Sequence, residues 1–234
     1  MGTATGRPLS RAWRGSVTSS DVLVLALDTA TPVLVAGLAR WSAVGGTTVL
    51  AERAVPSGTR HAELLTPAIR GVLEDAGLAM GDLDAVVTGL GPGPFTGLRV
   101  GVVTAAALAD ARGLRVIGVC SLDAIGTGER TVVTDARRRE IYWATYGADG
   151  GRLTGPSVDK PADVQLPEPV VGDPTFAAAR LGRAVGEARV TTAGLLRAAG
   201  PQLADPASAG PLVPLYLRRP DATPPTAIKA VSQS

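Results

Sequence analysis

The sequence has few of the residues from which metal sites, disulfide frameworks and aromatic cores are built. Its 234 residues include one cysteine, Cys120, and one histidine, His61. A disulfide within the chain is therefore impossible, and a zinc site with several Cys and His ligands is excluded by count. Aromatic residues make up only 3% of the chain, so the core must consist of Val, Leu, Ile and Ala. The single cysteine fits a reducing compartment, and we expect a cytoplasmic protein.

The sequence also lacks an apolar stretch long enough to predict a membrane span. Val22–Leu27 follows three arginines in the manner of a signal peptide, but Asp28 interrupts the run. The longest other apolar stretch, Val100–Ala109, is far shorter than the roughly 20 residues that a spanning helix needs. We therefore predict neither export nor membrane contact. Residues 1–20 are expected to be a disordered extension, or translation starts near Val17.

The charge is small, and its excess lies in the N-terminal extension. The formal net charge is +2, while Arg7, Arg11 and Arg14 stand without any acid in residues 1–20. The remainder is therefore close to neutral and lacks the basic face that is usual in nucleic-acid binders. The run Arg137–Arg139 is a tight cluster of cations. It is either a solvated hairpin tip or a contact for RNA phosphates.

The order of the predicted elements indicates two α/β lobes. The first half reads β-β-β-α-β-α-β. Its strands are predicted at Val22–Asp28, Val33–Arg40, Thr47–Ala54, Asp84–Gly89 and Arg115–Val119. The first helix is predicted at Arg60–Ala76, and the second follows the loop Gly91–Gly97 and ends near Arg112. Gly77 and Gly113 are placed to end the two helices. The second half is a weaker set, with segments at Thr131–Asp135, Glu140–Tyr146, Val170-Val171, Phe176–Val185 and Ala193–Ala199, and mostly irregular chain over 147–169. We predict lobes at 21–119 and 120–218, the second one smaller, and a flexible tail at 219–234.

A loop rich in Gly and Pro joins a strand to the second helix, a position that is typical of anion binding. The dinucleotide pattern fails because Thr96 stands where the third glycine belongs, and the Lys-Ser/Thr pair of the Walker pattern is missing. Pro92 and Pro94 also remove two N–H donors. We interpret the loop as a rigid turn that fixes the entry of the helix. Its principal residues are Gly91, Pro92, Gly93, Phe95 and Thr96.

A stripe of small residues runs along the helix after this loop. Its members recur at every fourth position, at Gly97, Gly101, Ala105 and Ala109. A helix that is apolar nearly all round must be covered nearly all round. Two covers are open for the stripe. One is the first helix of this chain, Arg60–Ala76, and the other is a helix pair of another chain.

Several segments resemble those of the TsaB family, in the same order along the chain. Gly91–Arg99, with the sequence GPGPFTGLR, resembles the family signature GPGSFTGLR, which is highly specific. Shorter likenesses support it at Asp28-Thr29, Arg60–Pro67, Asp135–Tyr142 and Pro214–Arg218, so that the match spans Val22–Arg218. The chain departs from the family pattern at Ala30, Ala62, Pro94 and Arg139. Arg139 stands at a hairpin position where the family has Gly and where a positive φ is expected.

This resemblance implies an α/β fold of the actin-like (ribonuclease H-like) type, in which each of two lobes is a mixed sheet with helices. It implies a non-catalytic scaffold or dimerization subunit of the complex that forms threonylcarbamoyladenosine in tRNA. Such a subunit binds and activates the catalytic relative, TsaD, through the two helices of its first lobe. A small ATPase, TsaE, joins the complex, tRNA contact is indirect, and the chain is expected to homodimerise when alone. The partner interface is predicted at His61, Leu64, Leu65, Ile69, Gly97, Arg99, Gly101, Ala105 and Ala109.

The resemblance also implies that the chain is not an enzyme. The catalytic relatives hold a metal with two His, and Cys120 and Ala124 stand at the corresponding positions. We expect no catalytic residue, metal or cofactor, with ATP or ADP only at the interface within the complex. The alternative is an actin-like ATPase or small-molecule phosphotransferase that uses the inter-lobe cleft, with Asp28 and Asp135 near Mg²⁺. Each Asp is otherwise a strand-end residue that satisfies turn N–H groups.

Overall fold

The computed structural model describes residues 21–218, which form two five-stranded sheets and four α-helices. The predicted extension over 1–20 and the tail over 219–234 lie outside the described residues. The first part holds β1 (Val22–Asp28), β2 (Val33–Ser42), β3 (Gly46–Pro56), α1 (His61–Ala76), β4 (Ala85–Gly89), α2 (Phe95–Arg112) and β5 (Arg115–Val119). The second part holds β6 (Arg130–Asp135), β7 (Ile141–Tyr146), β8 (Arg152–Asp159), β9 (Val170–Gly172), α3 (Pro174–Leu181), β10 (Gly186–Glu187) and α4 (Thr192–Ala204).

The first sheet has the order β3-β2-β1-β4-β5. Its first three strands form the predicted antiparallel meander, and β4 and β5 run parallel to β1. The two helices between the parallel strands end where the sequence predicted. Gly77 and Gly113 both have φ near +63° and donate their N–H groups to carbonyls of the last helical turn, a conformation that glycine adopts at little cost.

Strand β1 is buried on both faces because helices cover the sheet on each side. Leu25 and Leu27 pack with α1 and α2, whereas Val24 and Ala26 pack with α4. Successive side chains of a strand point to opposite faces, so each face receives every second residue. This explains why β1 is a nearly continuous apolar run in the sequence.

Helix α4 packs on the first sheet, although the sequence placed it in the second lobe. Leu195, Leu196 and Ala199 are fully buried there. The start of the helix is fixed to β3, since Glu52 Oε2 accepts the N–H of Thr192 at 2.7 Å. The predicted boundary at 119–120 therefore does not separate the packing units. An amphipathic pattern identifies an apolar face but does not identify the sheet that covers it.

The second sheet has the order β10-β9-β6-β7-β8. The prediction of mostly irregular chain over 147–169 was wrong, because β8 pairs with β7 along Arg152–Asp159. This is an exposed edge strand, and its Gly155-Pro156 step interrupts any alternation of apolar residues. Proline is tolerated at sheet edges, so its presence did not exclude a strand there.

The two lobes share one continuous core. Tyr142, Ala144 and Tyr146 of β7 belong to the same buried cluster as α4 and the first sheet. Helix α3 covers the opposite face of the second sheet through Phe176 and Leu181. The chain then returns to the first lobe, where the N–H of Leu215 donates to Leu90 O at 2.7 Å. This return places the C-terminal described segment beside the loop that precedes α2.

Candidate functional site

The small-residue stripe of α2 faces the chain's own interior. Gly97, Gly101, Ala105 and Ala109 are all buried. Thr29 lies directly against the first two of them, because its hydroxyl donates to Gly97 O at 2.8 Å and accepts the N–H of Gly101 at 3.0 Å. The prediction that these four residues contact a partner chain is therefore wrong. They are small because the turn after β1 and the elements behind it approach the helix closely.

Three of the predicted interface residues on α1 are buried as well. Leu65 and Ile69 pack in the core beneath the helix, and Leu64 is half-buried beside them. His61 is 5% exposed, and its Nε2–H donates to Thr31 O at 2.9 Å. The histidine thus holds the β1–β2 turn to the start of α1. Leu65, Ile69 and His61 support the outer surface of the lobe without forming it, which corrects the sequence-based assignment of these three, while the assignment of Leu64 stays a prediction.

The outer face of α2 carries exposed apolar side chains. Phe95 is 42% exposed and Val103 is 62% exposed, and Arg99 lies between them on the same side of the helix. The Arg99 guanidinium stacks over the Phe95 ring at 3.7 Å from its centroid, and its Nε–H donates to the hydroxyl of Tyr216 at 3.0 Å. The rings of Phe95 and Tyr216 are 4.9 Å apart. We call Phe95, Arg99, Val103 and Tyr216 the α2 outer face.

The other two sides of α2 are covered by the chain itself. Leu98 and Val102 are buried against Leu90 and against Leu212 and Leu215 of the returning segment. The stripe occupies the side toward Thr29. Within the part of the chain that the structure describes, the α2 outer face is the side of the helix on which large apolar side chains, those of Phe95 and Val103, remain open to solvent. The helix is apolar all round, yet one side has no cover.

The loop before α2 is anchored on two sides. Gly91, Pro92 and Gly93 are buried, and the N–H of Ser121 donates to Gly91 O at 2.7 Å. Gly93 lies so close to Ala30 that a Cβ on it would stand 2.3 Å from Ala30 O. Only the end of the loop is exposed, at Phe95 and Thr96. The close approach explains the glycines, and the exposed end presents Phe95 to solvent.

Asp28 is part of a buried hydrogen-bond chain beneath this loop. Its carboxylate accepts the N–H of Ala30 at 2.9 Å and the hydroxyl of Ser121 at 2.5 Å. The Ser121 hydroxyl in turn accepts the N–H of Gly91 at 3.1 Å. Burial away from water raises the pKa of Asp28 from 3.8 to about 6, against the opposing effect of the hydrogen bonds from Ser121 and Ala30. The group joins β1 to the loop and to the segment after β5.

Asp135 lies at the end of β6, in the turn that leads to β7. Its Oδ1 accepts the N–H of Arg137 at 2.8 Å, and the same oxygen is 3.8 Å from a guanidinium nitrogen of Arg180. Neither Asp135 nor the fully buried Asp28 lines the cleft between the lobes. The expectation that the two carboxylates face one cleft near Mg²⁺ is therefore wrong. Each carboxylate instead accepts an N–H group of the turn that follows its strand, as in the second interpretation given by the sequence.

The inter-lobe cleft has a volume of about 560 Å³. The loops before α1 and α2 form one wall, and the β6–β7 turn and residues 216–218 form the other. Phe95 and Tyr216 stand at its rim, and Arg137, Arg138 and Arg218 are among its lining residues. Arg139, next in the turn, has φ +67°, the left-handed conformation that the sequence led us to expect there.

Cys120 lies where the catalytic relatives were expected to place a metal-binding histidine. Its side chain is 7% exposed. Burial raises the pKa of the thiol to about 12, which keeps it protonated at neutral pH and unsuited to bind a metal or attack a substrate. Within residues 21–218, no group of three or more His, Cys, Asp or Glu side chains is arranged to hold a metal ion. In the same range, no helix combines the length and apolar character that crossing a membrane requires.

Sequence reasoning missed the roles of four residues that shape this region. Thr29 and Ser121 make buried hydrogen bonds to loops far away in the chain, and such long-range pairs leave no local signal. Val103 was not singled out in a helix that was expected to be covered nearly all round, because periodicity alone did not separate a covered side from an open one. Tyr216 stood within the short P-x-Y-L-R likeness, which was the only available pointer to it.

Comparison with solved structures defines the class of the protein. YeaZ from Pseudomonas aeruginosa aligns with a TM-score of 0.67 and 26% identity, over 84% of this chain and 100% of that chain. The two mixed sheets with their helices are thus the two lobes of an actin-like α/β fold. This confirms the fold that the sequence predicted.

Comparison of sequences gives the family. Residues 54–215 match the TsaD family model, described as tRNA N6-adenosine threonylcarbamoyltransferase. The uncharacterized protein Rv3421c of Mycobacterium tuberculosis is 53% identical over 207 residues, which cover 86% of this chain and 94% of that protein. The tRNA threonylcarbamoyladenosine biosynthesis protein TsaB of Escherichia coli is 32% identical over 134 residues, which cover 54% of this chain and 55% of TsaB. The chain belongs to the TsaD family and is a TsaB-like member of it.

Proposed function

We propose that this protein is a non-catalytic subunit of the machinery that forms threonylcarbamoyladenosine in tRNA. Its family membership and its likeness to a protein named for this biosynthesis support a role in the pathway. Within that role, we propose that it binds a TsaD-type catalytic subunit and stabilises the active conformation of that subunit. We propose that this contact is made by a set of residues that differs in part from the one that the resemblance suggested.

The observation that carries this proposal is the α2 outer face. Phe95 and Val103 expose large apolar side chains on one side of a helix whose other large apolar side chains are buried or half-buried. An apolar strip rimmed by a polar group such as Arg99 is typical of a protein interface. Aromatic and Arg side chains are also the residues that most often dominate binding energy. The proposed partner surface therefore consists of Phe95, Arg99 and Val103, with Tyr216 at its edge.

The states of the candidate reactive groups support a role without chemistry of its own. The Asp28 carboxylate is fully buried and engaged by Ala30 and Ser121. The Cys120 thiol is held protonated by burial. His61 is buried and bonded to a backbone carbonyl. A general base or a nucleophile must reach the substrate in a reactive form, whereas Asp28 and His61 are used to join loops and the Cys120 thiol is protonated.

The same positions argue against the alternative of an actin-like ATPase or phosphotransferase. Such an enzyme places a carboxylate next to Mg²⁺ at the cleft, and Asp28 has no access to it. We propose that any ATP or ADP binds only at the interface within the complex. A TsaE-like ATPase as a further member, and a homodimer through the α2 outer face in the absence of the catalytic subunit, are part of the same proposal.

The proposal is tested by measuring threonylcarbamoyladenosine in tRNA by mass spectrometry of its nucleosides. Depletion of this chain should lower the modified nucleoside, and its re-expression should restore it. In a purified system, the catalytic subunit with this chain should form the product, while this chain alone should form none. Unchanged modification after depletion, or product formed by this chain alone, would contradict the proposed role.

A further inference from the structure

The inter-lobe cleft has a wall of cations and no acid. Arg137, Arg138 and Arg218 line it, whereas no Asp or Glu is among the described residues that do so. Arg218 pairs with Glu140 behind the wall. Arg137 and Arg138 are exposed toward the cleft. A concave site lined by charges of one sign concentrates ligands of the opposite sign, so the cleft favours an anion.

The turn that presents these arginines is held in an unusual backbone conformation. Arg137, Arg138 and Arg139 have φ values of +60°, +50° and +67°. Residues with a Cβ rarely adopt this region, and three in succession cost free energy that the surroundings must supply. The turn is fixed on both sides, since Asp135 accepts the N–H of Arg137 and the N–H of Glu140 donates to Arg137 O at 2.9 Å. The geometry therefore places neighbouring guanidinium groups on a rigid turn.

The rim of the cleft carries two exposed rings. Phe95 and Tyr216 are 42% and 41% exposed in a chain with few aromatic residues. Arg99 stacks on Phe95 and bonds to Tyr216, which fixes the orientation of both. Exposed rings next to cations are the arrangement with which proteins bind unpaired nucleobases, because every base has a face that stacks and a phosphate that pairs with Arg.

We propose that the cleft binds an unpaired nucleotide segment of RNA. Arg137 and Arg138 contact its phosphates, and a base stacks on the ring of Tyr216 at the edge of the α2 outer face, while Phe95, whose ring is covered by Arg99, is left to the protein partner. A magnesium-bound nucleoside triphosphate fits less well, because Mg²⁺ requires oxygen ligands such as carboxylates and none lines the cleft in residues 21–218. A phosphodiester needs only cations. The inference rests on the proposed function for the presence of tRNA and replaces the expected indirect contact by a direct one.

The test measures the affinity of an anticodon stem-loop RNA for the full chain, alone and mixed with the catalytic subunit, by fluorescence anisotropy over a range of salt concentrations. Arg137→Ala with Arg138→Ala should weaken binding at least tenfold and reduce the salt slope by about 1.4, since each contact with single-stranded RNA contributes about 0.7. The matched pair Arg40→Ala with Arg70→Ala, exposed elsewhere, should change neither. A fully paired RNA of equal length should bind more weakly than the stem-loop.

The stacking part of the proposal has its own readout. Tyr216→Ala should weaken stem-loop binding about tenfold and abolish the preference for unpaired RNA. Tyr216→Phe should restore both, because it keeps the ring. Circular dichroism verifies the fold of each variant.

Four results would overturn the inference. The first is that the stem-loop binds in neither preparation, and the second is that both pairs of arginine substitutions weaken RNA binding equally. The third is that the cleft binds Mg-ATP and not RNA. The fourth is that the Arg137/Arg138 variant no longer binds the catalytic subunit but keeps its affinity for RNA. If the chain binds the catalytic subunit but not RNA, this inference is contradicted and the proposed function is not.

Discussion

The hydroxyl of Thr29 accepts the backbone N–H of Gly101 at 3.0 Å and fixes α2 against the turn after β1. The contact joins residues 72 positions apart in the chain. A Cβ on Gly101 would stand 2.5 Å from the Thr29 hydroxyl oxygen. The glycine is therefore needed for packing within this chain, and the small-residue stripe is an internal feature of the lobe.

We expect Gly101→Leu to destabilise the isolated protein. The larger side chain must displace Thr29 and break two buried hydrogen bonds, and overpacking of this kind costs about 3 kcal/mol. Urea unfolding followed by circular dichroism should show a matching loss in the free energy of unfolding. Ala107→Leu, on the exposed side of the same helix, is the control and should change it by less than about 0.5 kcal/mol. Equal stability of the two variants would mean that α2 is not held as described.

Asp28 predicts a specific dependence of stability on pH. Its pKa in the folded chain is about 6, above the ordinary value of 3.8, so the folded state holds a proton that the unfolded state has already lost between these values. The contribution of this group to the free energy of unfolding is largest below about pH 3.8 and is lost as the pH rises through about 6. Since each pH unit in this window is worth about 1.4 kcal/mol, the loss should be about 3 kcal/mol.

The comparison with Asp28→Asn isolates this effect from the other carboxylates. Asparagine keeps an oxygen for the N–H of Ala30 and does not titrate. The free energy of unfolding of the wild-type chain, minus that of the variant, should fall by about 3 kcal/mol between pH 3 and pH 7. A difference that stays constant across this range would show that Asp28 has an ordinary pKa.

The regular elements of the first lobe were predictable because their signals are local. The apolar run of β1 and the glycines after α1 and α2 each determine a boundary through nearby residues. Strand β8 was not predictable, because an exposed edge strand needs no apolar alternation. The placement of α4 was missed for a different reason. Both sheets offer an apolar face, and only the folded chain shows which one the helix covers.

The candidate site was predictable in its location and not in its orientation. The signature loop and α2 were correctly singled out as the informative region, but the stripe at Gly101 and Ala105 points inward and Val103 points outward. When apolar residues surround a helix, their distribution does not indicate which side faces the core. The side is decided by Thr29 and by the returning segment at Leu215, which lie far away in sequence.

The most direct test of the account is the affinity between this protein and its TsaD-type catalytic partner, measured by isothermal titration calorimetry. Val103→Arg places a charge on the most exposed apolar side chain of the α2 outer face and should raise the dissociation constant at least tenfold, as expected for a residue that dominates an interface. Val44→Arg makes the same substitution at a fully exposed turn of the first sheet and should leave the affinity unchanged. Wild-type affinity in Val103→Arg, with an intact fold, would contradict the assignment of the α2 outer face as the partner surface.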